Sequence, residues 1–153
     1  MRLETVLPAT VVDIQHIGST AVPGLDAKPI IDIGIAIERY DDIEDVTDAL
    51  TERGYTYRGH LSEQMGHVYQ VQVGDRVTHI VHVLEYSSPH YKDYLLMRDY
   101  LRANENARQA YQHLKQDLAT RYPHQRRSYT RGKHDLITSL LIAARRTDSV
   151  TRD

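Results

Sequence analysis

The run Pro29-Ile30-Ile31-Asp32-Ile33-Gly34-Ile35-Ala36-Ile37 constrains this chain more than any other stretch. It is almost unbroken in β-branched residues, which predicts a central strand over residues 30–37. One aspartate interrupts it. A carboxylate in a buried strand costs desolvation free energy unless it is paired, hydrogen-bonded or metal-bound. The fold must therefore supply Asp32 with company. Lys28 or an arginine can neutralise it, or the carboxylate can do metal or catalytic work.

Upstream lies a strand at Val11–Ile17, with Val11, Val12, Ile14 and Ile17 apolar. Residues 18–28 read as a loop or a short loosely helical segment, punctuated by Gly18, Ser19, Pro23 and Gly24. A glycine lets backbone N–H groups approach an anion closely, and Ser19 and Thr20 each add a hydroxyl. These are parts from which a phosphate-holding turn can be built; they are equally the parts of an ordinary turn. Neither the Walker pattern nor the dinucleotide fingerprint is present. Lys28, next to Pro29, is placed to contact a phosphate or to neutralise Asp32.

Downstream, Asp41 or Asp42 is positioned to cap a helix that carries Ile43, Val46 and Leu50 on one face and ends at Gly54. His67–Val73 and Arg76–Leu84 read as a hairpin around Gly74-Asp75. After Pro89 the period changes to helical over residues 90–102, 105–121 and 133–145, and residues 147–153 read as a polar tail. Strands come first and helices last. That order predicts one α+β domain over residues 1–153, a mixed β-sheet with flanking and C-terminal helices packed on it.

Within the hairpin, His79 and His82 point to opposite faces, so they form no ready clamp for a metal. Either can face a cleft while the other is solvated or satisfied in the core. Glu85 follows as a further carboxylate or as a solvated strand end. There is no HExxH pattern. Arg98 and Arg102 share a helix face at i, i+4 spacing and suit a phosphate or carboxylate, with Asp99 as a competing partner. Lys133 opens the last predicted helix, where the helix dipole does not favour a cation, so it calls for an anion or for Asp32.

Charge and composition narrow the field. The net charge is −2, with an acidic stretch at residues 38–52 and a basic excess at residues 98–134. Nine basic residues spread over that second segment are not a dense patch, so bulk nucleic-acid binding is not expected. With no cysteine, disulfides, thiolate catalysis and cysteine-based zinc sites are excluded. No run of 18 apolar residues exists to span a membrane, and the N-terminus lacks a signal-peptide pattern. The cytosol is the expected location. A homodimer is compatible with the sequence, which carries no specific signal for one.

The blocks HIGSTAVPGLDAKPIIDI, THIVHV, MRDYLRANENARQAYQHLKQDLA and YTRGKHDLI resemble the GrpB (UPF0157) family over about residues 12–145. That resemblance implies the nucleotidyltransferase fold. In that superfamily a Gly-Ser turn holds a triphosphate, and an acidic-apolar-acidic triplet on the next strand binds divalent metal. Here Gly18-Ser19 precede Asp32-Ile33-Gly34. Asp32 matches the first carboxylate, and Gly34, which cannot ligate a metal, stands where the second belongs. The neighbouring strand offers His82 or Glu85 in place of a third carboxylate, with Ile80 where relatives show a histidine. Relatives also carry a further helical stretch with a tryptophan ahead of the HIGS block, which this chain lacks.

The resemblance implies Asp32, His82 and Lys133 as catalytic residues. Gly18, Ser19, Thr20, Lys28, Arg98 and Arg102 then bind phosphate, and Asp32 with His82 or Glu85 holds Mg²⁺ or Mn²⁺. The partner is a nucleotide or phosphorylated small molecule. Two functions follow as expectations: a nucleotidyl or phosphoryl transferase, or a non-catalytic nucleotide- or anion-binding or partner module that has lost the two-metal site.

Overall fold

The computed structural model describes residues 7–25 and 29–152. They fall into two compact units, one of residues 7–21 and 29–95 and the other of residues 22–25 and 96–152.

The first unit is built on a five-stranded sheet: β1 (Val11–Ile17), β2 (Ile31–Ile37), β3 (Thr56–Ser62), β4 (Gly66–Val73) and β5 (Arg76–Glu85), in the order β1-β2-β5-β4-β3. The sheet is mixed. β2 and β5 run parallel at its centre, with Asp32 opposite Ile80 and Gly34 opposite His82. All other neighbours are antiparallel. The helix α1 (Ile43–Glu52) connects β2 to β3.

Strand alternation sorts the sheet's residues onto two faces. On one, Ile35, Ile37, Tyr69, Val81 and Val83 close with Val46 and Leu50 of α1 into a core with almost no exposure. Burying each of these side chains contributes about 1.5–3 kcal/mol. On the other, Ala36 and Leu84 pack against Tyr91, Tyr94 and Leu95 at the start of α2 (Pro89–Ala103). Asp32, Gly34 and His82 belong to this second face.

α1 starts differently from the sequence expectation. Asp41 and Asp42 lie in a 3₁₀ turn, Tyr40–Asp42, and Asp42 occupies the N-cap position without a side-chain cap bond. Gly54 ends the helix in the left-handed region, φ 91°. β3 is a strand that the residue pattern did not announce. Arg58 and Gly59 break its alternation, and every residue of the strand except Gly59 is exposed, as befits an edge strand.

The second unit is helical: the end of α2, α3 (Glu105–Arg121) and α4 (Arg126–Arg152). Val22, Leu101, Ala107 and Tyr111 form its core, with Leu136 and Leu140 against it. The Asn104 side chain caps α3 by accepting from the Ala107 N–H at 3.0 Å. α4 corrects two expectations. It begins well before residue 133, so Lys133 lies inside the helix, and residues 147–152 of the supposed tail continue it. The close approach of α3 and α4 passes over Gly132, where a Cβ would collide with Leu118.

Among the described residues, no helix is long and apolar enough to cross a membrane.

Candidate functional site

β1 ends at Ile17, directly opposite Asp32 in the sheet. Gly18 then turns the chain with φ 77°. A Cβ at Gly18 would lie 2.8 Å from Asp32 Oδ2. Both conformation and space therefore require glycine here, and the turn's backbone rests on the carboxylate. Ser19–Ala21 follows as a 3₁₀ turn, closed by Ala21 N–H donating to Gly18 O at 3.1 Å.

The Thr20 hydroxyl is engaged within the fold. It donates to Ile30 O at 3.3 Å, and His16 Nε2 lies 2.9 Å from the same oxygen. One hydroxyl has one hydrogen, so His16 is the donor in that second contact. The chain His16–Thr20–Ile30 ties the loop's two ends together.

Asp32 keeps partial access to solvent, its side chain 29% exposed against 10% for His82. His82 Nε2 lies 3.7 Å from Asp32 Oδ1. The other ring nitrogen, Nδ1, is 3.1 Å from the Met65 carbonyl in the β3–β4 turn. The preceding carbonyl of that turn, Gln64 O, accepts from Tyr94 Oη at 3.0 Å. Burial and the Asp32 charge push the Tyr94 hydroxyl up to about 12, so it remains a neutral donor at physiological pH.

Gly34, beside Asp32 on this face, is sealed. A Cβ there would meet Tyr91 Cε2 at 3.3 Å and Ile17 Cδ1 at 3.4 Å. The Tyr91 ring packs over this position. Tyr91 Oη in turn donates to Asp13 Oδ2 at 2.7 Å, and Gln15 Nε2 donates to Asp13 Oδ1 at 3.2 Å. This face thus holds a second carboxylate, on β1, engaged by protein donors.

The sequence-predicted residues fall into four groups. Gly18, Asp32 and His82 come together, with Ser19 and Thr20 in the adjoining turn. Glu85 does not join them. It is paired with Ile37 at the far end of β5, and alternation puts it with Val81 and Val83 on the α1 face, beside Tyr40. Lys28 lies outside the described residues. Arg98, Arg102 and Lys133 belong to the second unit. There Arg98 Nε donates to Asp99 Oδ1 at 2.9 Å, Arg102 is exposed with its carbonyl accepting from Arg108, and Lys133 is half-buried.

Tyr91, Tyr94, Asp13 and the Met65 carbonyl were not anticipated as parts of the site. Tyr91 and Tyr94 carried a signal, an aromatic pair three apart on a predicted helix face. The carbonyl carried none. The described residues hold no cluster of three or more histidine or acidic side chains able to bind a metal ion. Two recesses lie elsewhere, one of about 370 Å³ under α3 in the second unit and one of about 340 Å³ along β1.

These features define an α+β protein whose polar site lies where two parallel strands meet on one face of a mixed sheet. The chain belongs to the GrpB family, whose sequence profile, described as GrpB protein, matches residues 1–142. It is 37% identical over 144 residues to the glutamate-rich protein GrpB of Alkalihalophilus pseudofirmus, covering 91% of this chain and 82% of that one. It is 40% identical over 129 residues to the UPF0157 protein SCO7215 of Streptomyces coelicolor, covering 84% and 67%. The crystal structure of conserved protein GrpB from Enterococcus faecalis superposes with a TM-score of 0.79 at 29% identity, covering 93% of this chain and 85% of the other.

Proposed function

We propose that the face carrying Gly18, Asp32 and His82 binds a phosphate-bearing small molecule of the nucleotide class together with a divalent cation, Mg²⁺ or Mn²⁺. On this reading the fold is nucleotidyltransferase-like and the chemistry is nucleotidyl or phosphoryl transfer. The observation that supports it is a partly exposed carboxylate kept beside a turn whose backbone rests against it, with a buried imidazole on its other side.

In this reading the Gly18-Ser19 backbone and hydroxyl orient phosphate oxygens. Asp32 and His82 hold the cation, which supplies charge neutralisation at the transferring phosphate. Lys28 is the cation assigned to the remaining phosphate charge. Thr20 serves the turn's shape.

One observation favours the second reading, a binding or partner module without turnover. Tyr91 fills the position of the second carboxylate at Gly34, so the two-ion arrangement of phosphoryl transfer is not assembled there. Binding needs only the turn and one cation.

Thermal-shift titration with nucleoside triphosphates and coenzyme A precursors, with and without Mg²⁺ or Mn²⁺, tests both readings. A triphosphate with metal should raise the melting temperature by mass action. Asp32→Ala and Ser19→Ala should reduce the shift. Radiolabelled triphosphate turnover, abolished in Asp32→Ala, then separates transferase from module. A flat response to the whole panel rejects nucleotide binding and leaves a protein-partner role.

A further inference from the structure

We infer that the solvent side of α4 docks on a nucleic-acid duplex through its phosphates. The surface belongs to the helical unit alone and does not rest on the proposed nucleotide site.

Over residues 126–146 the sequence places six basic residues against one acidic residue, Asp135. Along the chain they are sparse. Wound into α4, Arg127, Arg131, His134, Thr138, Ile142 and Arg145 follow one another at intervals of three and four residues, so they line one side of the helix. All six are exposed, and Arg146 is exposed beside them. The line is roughly 27 Å long. Packing fixes which way it faces. Leu136 and Leu140 close on the core of the helical unit, and Leu141 and Ala144 are buried.

The arginines of this unit divide by what engages them. Arg98 pairs with Asp99, and Arg121 pairs with Asp117 one helical turn away. Arg108 donates to the carbonyls of Leu101 and Arg102 at 2.9 and 2.7 Å. Among the described residues, Arg127, Arg131 and Arg146 have no such partner. Asp135, one turn from Arg131, makes no ion pair with it. The unengaged guanidinium groups are therefore all on the solvent side of α4. Each is a planar fork of donors that matches phosphate oxygens and keeps its charge at any physiological pH.

The length and chemistry of the line select the partner. A free phosphate meets one or two of these side chains, whereas a line of this length suits an anion that repeats. A duplex carries about one charge per 1.7 Å of axis. Single-strand binding draws on aromatic rings that stack with bases, and the line has none. A helix lying in a membrane surface needs a free apolar face. The apolar face of α4 is packed, and Ile142 is its one exposed large apolar side chain among the described residues.

The test uses the full chain and a fluorescein-labelled DNA duplex of about 20 base pairs, with an RNA duplex of the same sequence as a second arm, followed by anisotropy. Three or four phosphate contacts give a slope of log affinity against log salt of about −3, roughly a 60-fold loss between about 50 and 200 mM salt. Arg127→Gln with Arg131→Gln should weaken binding at least about tenfold at the lower salt and reduce the slope by about 2. Arg121→Gln, whose guanidinium Asp117 holds, should change affinity less than about twofold. Circular dichroism and melting establish that the variants fold; should the double variant not fold, the two single variants decide, each removing about one unit of slope. These effects with either duplex support the inference, and the ratio of the two affinities names the preferred backbone. No duplex binding at the lower salt, salt-independent binding, an equal loss in Arg121→Gln, or tighter binding to phosphatidylglycerol vesicles than to duplex would each overturn it. So would self-association in sedimentation that the double variant abolishes, without duplex binding. The partner would then be a second copy of this chain.

Discussion

The two faces of the β2–β5 pair are made from the same strands and do opposite things. Ile33, Ile35 and Ile37 with Val81 and Val83 point to α1 and build a core that excludes water. Asp32, Gly34 and Ala36 with His82 and Leu84 point the other way. There, two residues are polar, one has no side chain, and packing depends on Tyr91 reaching over from α2. The first face is optimised for burial. The second carries a partly exposed carboxylate 3.7 Å from a buried imidazole, polar groups whose removal from water costs free energy. The contrast is why the proposed site lies on the face that packs less well.

The sharpest way to break this contrast is to give the polar face the carboxylate it lacks. Gly34→Asp should cost on the order of 5 kcal/mol, because it overpacks against Tyr91 and Ile17 and buries an unpaired charge. Urea denaturation measures it. A variant as stable as the parent, with tighter Mg²⁺ binding, would show that Tyr91 yields readily and that a two-ion site lies within easy reach.

On the apolar face, Ile35→Ala should cost about 3 kcal/mol through lost burial and a residual cavity. It should leave metal and nucleotide binding to the folded protein unchanged, since Ile35 points away from Asp32. A binding loss that persists in fully folded Ile35→Ala would mean the faces are coupled through the strand, and the division drawn here would fail.

Much of this was legible in the residues. The β-branched run marked β2, alternation marked β4 and β5, and the Gly74-Asp75 turn joined them. Asp32 advertised itself because a charge in such a run needs explaining, and Gly18 because it precedes that run at the strand's end. What was not legible has physical reasons. β3 is an exposed edge with Gly59 and bulges, so its stability comes from pairing with β4 and its residues show no period. The first turns of α4 are rich in charge and carry too little apolar spacing to announce a helix. The Met65 carbonyl that fixes His82 is backbone, invisible in any side-chain pattern. Tyr91 meets Asp13 across 78 residues of sequence, a contact that only the folded sheet creates.

The smallest expected effect concerns the histidine of the other face. His67 pairs with His60 across β4 and β3, their rings stacked at 4.5 Å between centroids. Tyr40 meets the His67 ring edge-on, and Tyr57 Oη lies 2.8 Å from its Nδ1. Glu85 and then Glu63 act on Tyr40, the ring that meets His67. Burial first, and then the His60 charge, hold His67 below the usual histidine range. A depressed histidine takes up its proton later than the same residue in the unfolded chain. Stability from this group is therefore complete above the unfolded value of about 6.5 and declines as pH falls through it. Melting temperature should drop on acidification from pH 7 toward pH 5.5, before carboxylate protonation contributes. His60→Ala removes one of the two causes, so its melting temperature should vary less over that window. An equal or steeper decline in His60→Ala would show that the acid sensitivity comes from elsewhere than the stacked pair.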